Sequence, residues 1–261
     1  MIEEIIYFLR DYRWPMTGLV CGIAFLGCAW DRIKGQDRPW KETGANVAIF
    51  VIGQILHNAF LLPFKILLLI NIPSLVPRMP LTWWSFALSL FAIDLVFYIL
   101  HRFEHTWKPL WAEHSIHHNS NEFNFSIGLR LPWFNPFQGW PAIPLVLMGF
   151  PPIYLLGAMP INQFFQYWVH SADFPKMDWL EHVLMTPSNH RVHHAQNPRY
   201  RNHNFGGMFI FWDKLFGTYQ REEENDPPVY HGSDSINTAN PFLINFLPLK
   251  YLWRSKSNNS L

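Results

Sequence analysis

Charge is what this chain has least of. Charged side chains make up 15% of its 261 residues, well below the roughly one quarter typical of soluble domains, while 49% are hydrophobic and 17% aromatic. That balance points away from water. A net charge of +1 gives no bulk attraction for polyanions, so no nucleic-acid partner is expected. Cysteine is almost missing. Cys21 and Cys28 lie seven apart in one apolar stretch, where they share a helix face as small hydrophobes and a disulfide is geometrically implausible. They carry no information about redox compartment. With no cysteine near the histidine-rich windows, an iron–sulfur or blue-copper site is excluded. A basic leader is absent as well: MIEEIIYFLRDYRWP opens with two glutamates and lacks a small-residue cleavage site, so it reads as a short amphipathic helix at a membrane interface. Repeats, linkers and low-complexity stretches are also missing, which leaves a single domain over 1–261.

Histidine is what the chain has in surplus. Eight of the thirteen histidines fall between His101 and His118 or between His190 and His194. The windows HRFEHTWKPLWAEHSIHH and HRVHH follow one grammar: H-x-x-x-H, then H-x-x-H-H, then H-x-x-H-H again. On a helix, positions three and four apart share a face, so each box aims two or three imidazoles at one place. A lone histidine is usually explained by one ring-nitrogen hydrogen bond. Three boxes are not. Imidazoles packed this closely would repel when protonated and would need many separate partners when neutral, whereas a metal satisfies them together.

The three boxes, their order and their flanking words resemble the fatty acid hydroxylase superfamily, the membrane di-iron proteins that include sterol desaturases and C-4 methylsterol oxidases. Within it, HSIHHNSNEFNFSIGLRLPWFNPF and TPSNHRVHHAQNPRYRNHNFGGMFIFWDKLFGTY are most similar to the alkylglycerol monooxygenase branch. The resemblance covers about residues 80–220, the histidine-box core. It implies two iron ions, O2 as co-substrate, and hydroxylation or desaturation of a C–H bond in an ether lipid, a fatty acyl lipid or a sterol.

Apolar stretches run over about 15–30, 45–70 and 82–101, near the roughly 20 residues that a bilayer core requires. Trp14 and Trp30 flank the first, as aromatic belts do. Gln54, His57 and Asn58 in the second must face protein, and His57 reads as structural. The loop DRIKGQDRPWK carries four Lys/Arg and NIPSLVPRMP one, which places the first loop, and then His101, in the cytoplasm. The last box must return to that side. The turn Gly149-Phe150-Pro151-Pro152 therefore splits a helical hairpin, about 136–149 out and 152–170 back. The outgoing arm, with Pro141 and Pro144, is too short to span and re-enters or packs against protein. From Ser171 onward the chain reads as cytoplasmic, and PFLINFLPLKYLWR as an interfacial amphipathic helix. The expected architecture is an all-α, multi-pass integral membrane protein of a bacterial inner membrane or endoplasmic reticulum. Three transmembrane helices and a hairpin carry a cytoplasmic helical cap with a histidine-rich di-metal site.

Two irons, each wanting four or five protein ligands, need about nine. The boxes supply His101, His105, His114, His117, His118, His190, His193 and His194, and the returning arm brings His170 to the same side. Superfamily members often carry a further histidine four residues on; here that position is Phe174. His203 stays open between ligand, hydrogen-bond partner of a ligand and surface residue, while His182 and His231 read as structural or exposed. A ligating histidine usually donates its other N–H to a carboxylate or carbonyl. Asp94, Glu113 and Asp213 are the candidates for that role, against purely structural salt bridges, and Asn119 and Asn124 for added hydrogen bonds.

The chemistry implied by the resemblance is oxygen activation, with the protein orienting a lipid carbon and excluding water. The aromatic stretch FNFSIGLRLPWFNPF suits a tunnel for an acyl or alkyl chain, and Arg130 either meets a lipid headgroup or is an ordinary interfacial arginine. The verbal match favours a glyceryl ether lipid with a tetrahydropterin reductant; a sterol or an amino-acid-containing lipid is the alternative. No H-P-G-G word occurs, so electrons are expected from a separate donor. Two rival classes remain. A zinc-dependent membrane hydrolase would use Glu104 or Glu113 as general base. A non-catalytic metal-binding or transport protein would need a polar path through the spans, for which Gln54, His57 and Asn58 are too few.

Overall fold

The computed structural model describes residues 18–19, 21–23, 25–27, 29–30, 33, 40–133, 142–230 and 236–252. These form helices and turns without a sheet; the isolated bridge Leu184–Phe209 is the nearest approach to one. The N-terminal amphipathic segment, part of the 15–30 stretch and most of the basic loop lie outside the described residues.

Helix α1 (Trp40–Leu56) continues through a π-helical turn (His57–Leu61) into α2 (Leu62–Asn71). Pro63 explains the turn. It has no N–H, and its ring would clash with the carbonyl four residues back, so the chain widens locally and the Leu62 amide reaches the His57 carbonyl instead. Together α1 and α2 form a 32-residue helix, and α3 (Trp83–Thr106) one of 24 residues; both are long and apolar enough to cross a membrane. The Thr82 amide, at the start of α3, donates to Ser85 Oγ at 3.2 Å.

Helix α3 ends at Thr106, and Pro109 falls in the first turn of the next helix, where its missing N–H breaks no intrahelical bond. The chain is extended at Trp107 and restarts as α4 (Lys108–His118), so a one-residue joint folds the first box against the second. The described part of the outgoing hairpin arm is the short helix α5 (Ile143–Leu147); 134–141 lie outside the described residues. At the turn Gly149 has φ +88°, and a Cβ there would lie 2.8 Å from the Pro77 carbonyl, so only glycine fits. Helix α6 (Pro152–Trp168) returns along α3. Leu145, Val146, Phe150, Leu155 and Ala158 pack there with Leu69 and Ile93.

The third box is α7 (Pro187–His194), capped by Thr186, whose Oγ1 accepts the Asn189 amide at 3.3 Å. Short helices follow at α8 (Phe211–Leu215) and α9 (Pro241–Phe246). The expected C-terminal amphipathic helix is in fact α9 followed by a 3₁₀ turn, Leu247–Leu252, with Ile244 buried and Phe242 and Phe246 exposed.

Candidate metal centre

Nine histidines meet where α3, α4, the end of α6 and α7 converge. They form two groups, each with its nearest ring nitrogens within 4.8 Å of one another: His101, His105, His114, His118 and His193 in the first, and His117, His170, His190 and His194 in the second. The groups touch, since the His118 and His194 rings stack at 4.2 Å.

The ring nitrogens are arranged for an electron-pair acceptor. His101 Nδ1–H donates to the Phe205 carbonyl at 2.8 Å, His193 Nδ1–H to the His203 carbonyl at 3.0 Å and His170 Nδ1–H to the Gln166 carbonyl at 2.9 Å. A carbonyl only accepts, so these Nδ1 atoms carry the proton and the Nε2 lone pairs are bare. Those Nε2 atoms nevertheless crowd together. In the first group His101–His114, His114–His118 and His118–His193 are 3.0, 3.1 and 3.1 Å apart. In the second, His117–His170, His170–His190 and His190–His194 are 3.1, 3.0 and 3.1 Å apart. A metal–imidazole bond of ~2.1 Å sets ligand nitrogens ~3.0 Å apart at a right angle and ~3.4 Å apart at the tetrahedral angle. The observed spacing is short enough for neighbouring nitrogens to share one metal. His105 Nε2 is buried without a partner, as a ligand atom facing its metal position would be. Burial, reinforced by neighbouring imidazoles, pushes His114, His117, His118, His190, His193 and His194 well below the usual histidine range, keeping them neutral and able to bind a cation.

A family model described as fatty acid hydroxylase matches residues 86–218, half of the chain, with all three boxes inside the match. The chain belongs to the fatty acid hydroxylase family. It is 35% identical over 173 residues to an alkylglycerol monooxygenase of Danio rerio, covering 66% of this chain and 38% of that protein. The Homo sapiens alkylglycerol monooxygenase is 34% identical over 174 residues, covering 67% and 38%. The ornithine lipid hydroxylase OlsE of Rhizobium tropici is 31% identical over 157 residues, covering 56% and 44%. The chain thus spans well under half the length of these relatives. No solved structure matches it.

Among the carboxylates expected beside the histidines, the structure makes a different selection. Glu104, within the first box, is the one that meets an imidazole: its Oε2 lies 3.2 Å from His114 Nδ1. Glu113 points elsewhere, with Oε2 buried and unpartnered and its carboxyl pushed by burial up to about 7. Asp94 accepts the Met208 and Phe209 amides at 2.6 and 3.2 Å, Trp212 Nε1 at 2.9 Å and Asn162 Nδ2 at 2.6 Å. Asp213 accepts the Phe205 and Gly206 amides at 2.7 and 2.8 Å and the Thr218 hydroxyl at 2.7 Å. Both hold the loop that delivers the Phe205 carbonyl to His101, rather than touching a histidine. Asn124 caps the 3₁₀ turn Phe125–Leu129, its Oδ1 accepting from the Ser126 amide at 2.9 Å.

The structure also places His203 and Arg130. The His203 ring donates to the Arg201 carbonyl at 2.8 Å, outside both groups; its contribution is its own carbonyl, held on His193. Asn202 and Asn204, at φ 59° and 58°, make the left-handed turns that present the carbonyls of 203 and 205. Asparagine tolerates that region, and the N-H-N word was the available signal. Arg130 is 0% exposed and cannot reach a headgroup. Its Nε donates to the Ile116 carbonyl at 3.0 Å and its Nη1 to Glu42 at 2.8 Å, with Nη2 on Asn119, clamping the end of α4 to α1. Arg191, inside HRVHH, grips Glu222 with Nη2–Oε2 at 2.7 Å and the carbonyls of Ala172 and Phe174 at 3.1 and 2.9 Å. No spacing rule announced it. His182 lies outside both groups, and its ring meets Lys214 Nζ at 3.0 Å in an exposed contact. Phe174 is exposed, away from the position of a tenth ligand.

Proposed function

We propose that this chain is a single-domain, membrane-embedded di-iron oxygenase that hydroxylates a C–H bond of a lipid. One iron is held by His101, His105, His114, His118 and His193, the other by His117, His170, His190 and His194. The observation that carries this reading is the 3.0–3.1 Å spacing of Nε2 atoms within both groups. The first group offers five imidazoles, more than a tetrahedral zinc site takes, which favours redox iron over the zinc of a hydrolase. Bound irons would supply the reduction of O2 and the oxidising power for C–H insertion. The chain's own share is to keep the Nδ1 atoms of His101, His114, His170 and His193 on fixed carbonyl or carboxylate groups, which fixes those rings, and to wall the site with Phe123 and Phe205, both buried, so that water stays out.

The lipid is a glyceryl ether lipid with tetrahydropterin as external reductant, a reading supported by the similarity to alkylglycerol monooxygenases. The similarity to an ornithine lipid hydroxylase favours an amino-acid-containing lipid as the second reading. Three spans and the hairpin put loop 31–41, the boxes and the C-terminus on the cytoplasmic side. Cysteine labelling at Lys34 and Ser257 should agree in sidedness and oppose Arg78; disagreement between the first two refutes the hairpin. For function, elemental analysis should find about two irons per chain, and lipid mass spectrometry under ¹⁸O2 a product carrying one labelled oxygen. One ion per chain, or full activity with zinc alone, rules the proposal out.

A further inference from the structure

The loop after the third box lies beside the middle of the membrane helices. Asp94 stands twelfth of the 24 residues of α3 and seven before His101, ~10 Å along the axis from it at ~1.5 Å per residue. Its carboxylate binds the amides of Met208 and Phe209 and the Trp212 indole. Helix α6 gives the same level independently. Asn162, which donates to Asp94, stands eight residues before His170, ~12 Å away if the helix ran straight through. Ring contacts extend the match along α3, with Phe91 against Trp212 at 4.6 Å and Tyr98 stacked on Phe216 at 5.3 Å. The approach is close: a Cβ on Gly207 would fall 2.7 Å from Asp94 Oδ1.

The bilayer can be laid onto α3 by its tryptophans. Trp83 and Trp84 are exposed at one end and Trp107 just past the other, the pattern of two aromatic belts. A hydrocarbon layer of ~30 Å, or ~20 helical residues, beginning at Trp84 ends near Phe103. Asp94 and the loop docked on it then lie near its centre. We infer that residues 205–216, with the paired segment at 183–185, form a re-entrant element immersed beside α3, and that Phe211, Leu215 and Phe216 meet acyl chains. The inference rests on the reading that α3 crosses the bilayer.

The chemistry of the loop agrees. Irregular backbone survives at membrane depth only where its polar groups are satisfied. Here Asp94 takes two amides and Asp213 two more, the Ile210 amide donates to the Val183 carbonyl at 3.2 Å, and the Met208 carbonyl accepts the Met185 amide at 2.8 Å. A carboxylate inside a span needs partners, and the loop supplies them. The outward face is apolar, with Leu215 58% and Phe211 44% exposed. The one cation, Lys214, turns back onto His182, 2.9 Å from its carbonyl. The surface continues the exposed face of α3 at Phe91, Ile99 and Phe103. The Phe205 carbonyl that holds His101 belongs to the same element, so a lipid reaches the site's supports without leaving the bilayer.

Nitroxide labels test this in the metal-loaded protein, in phosphatidylcholine–phosphatidylglycerol vesicles, with Cys21 and Cys28 replaced by serine. Sites are Leu215→Cys and Phe211→Cys on the loop, Phe91→Cys on α3 and Arg201→Cys on the polar surface. Labelled proteins are kept for measurement only if they retain their metal. Collisions with a water-soluble nickel chelate at Leu215 and Phe211 should be at least ~10-fold rarer than at Arg201, with oxygen collisions correspondingly frequent, because hydrocarbon excludes ions. Chelate access at both loop sites equal to that at Arg201, with Phe91 still protected, overturns the immersion while leaving the span intact. Chelate access at Phe91 as well shows that α3 does not cross, and overturns both.

Discussion

Four of the five imidazoles in the first group come from α3 and α4, two helices joined by a single extended residue, whereas the four of the second come from α4, α7 and the far end of α6. Three rings of the first group have their Nδ1 pinned, on Phe205, His203 and Glu104. In the second, His170 is held by Gln166, but His190 Nδ1 is buried with no partner. The contrast separates a site pre-assembled by local chain geometry from one that exists only after distant elements dock. It also separates their capacities. On the proposed reading, a six-coordinate metal held by five imidazoles would keep about one position, and one held by four about two. The second site would then be the looser and the more open.

The largest effect that can break this contrast is removal of His170. His170→Ala leaves three imidazoles in the second group, so the metal content should fall from about two ions to about one, and oxygenation by at least ~100-fold, as thoroughly as for His193→Ala. His182→Ala is the control and should be nearly silent. A His170→Ala protein that keeps both ions and its turnover would erase the distinction between the groups.

Arg130 comes next. It ties the α4 end that carries His117 and His118 to α1, and Arg130→Ala would leave Glu42, Asn46 and Asn119 without their shared cation. A loss of ~3 kcal/mol is expected for breaking such a buried pair. Arg130→Lys should not restore it, because one ammonium cannot span Ile116, Glu42 and Asn119 together. Thermal melting in detergent gives the answer; an unchanged midpoint for Arg130→Ala would deny the clamp.

Glu104→Gln bears on the first group alone. Weakening the one carboxylate that meets a grouped histidine among the described residues should lower metal affinity there by ~10–100-fold, leaving the second ion in place, as chelator competition would show. In the unsubstituted protein the same competition should release the second-group ion first. Equal release of both ions would mean that Nδ1 anchoring does not distinguish them. The smallest effect concerns Phe174. It lies outside both groups with its carbonyl held by Arg191, so Phe174→His should add no metal; a gain would mean that the segment after α6 reorganises to serve the second group.

Much of the centre was legible without coordinates. The boxes announced themselves because helical spacing is a local property: residues three or four apart face together whatever surrounds them. The Gly149 turn is equally local, and so are the apolar runs of α1–α3. Asp94 shows where such reading stops. Its position seven before His101 suggested a carboxylate on the histidine stripe, yet its partners are Met208, Phe209 and Trp212, more than a hundred residues away. Glu104 sat in plain view inside the first box, but nothing in its spacing preferred it to Glu113.

The sequence by itself determined that imidazoles would be gathered in sets on short helices beside apolar runs, because periodicity and hydropathy act within a few residues. Only the tertiary structure decided which imidazoles share a site. His117 and His118 are neighbours in the chain, but successive helical residues point ~100° apart, and the two rings serve different groups according to which element packs opposite each. The choice of Nδ1 partner was decided the same way. His101 and the Phe205 carbonyl are brought together by packing between elements 104 residues apart, and no local pattern records that.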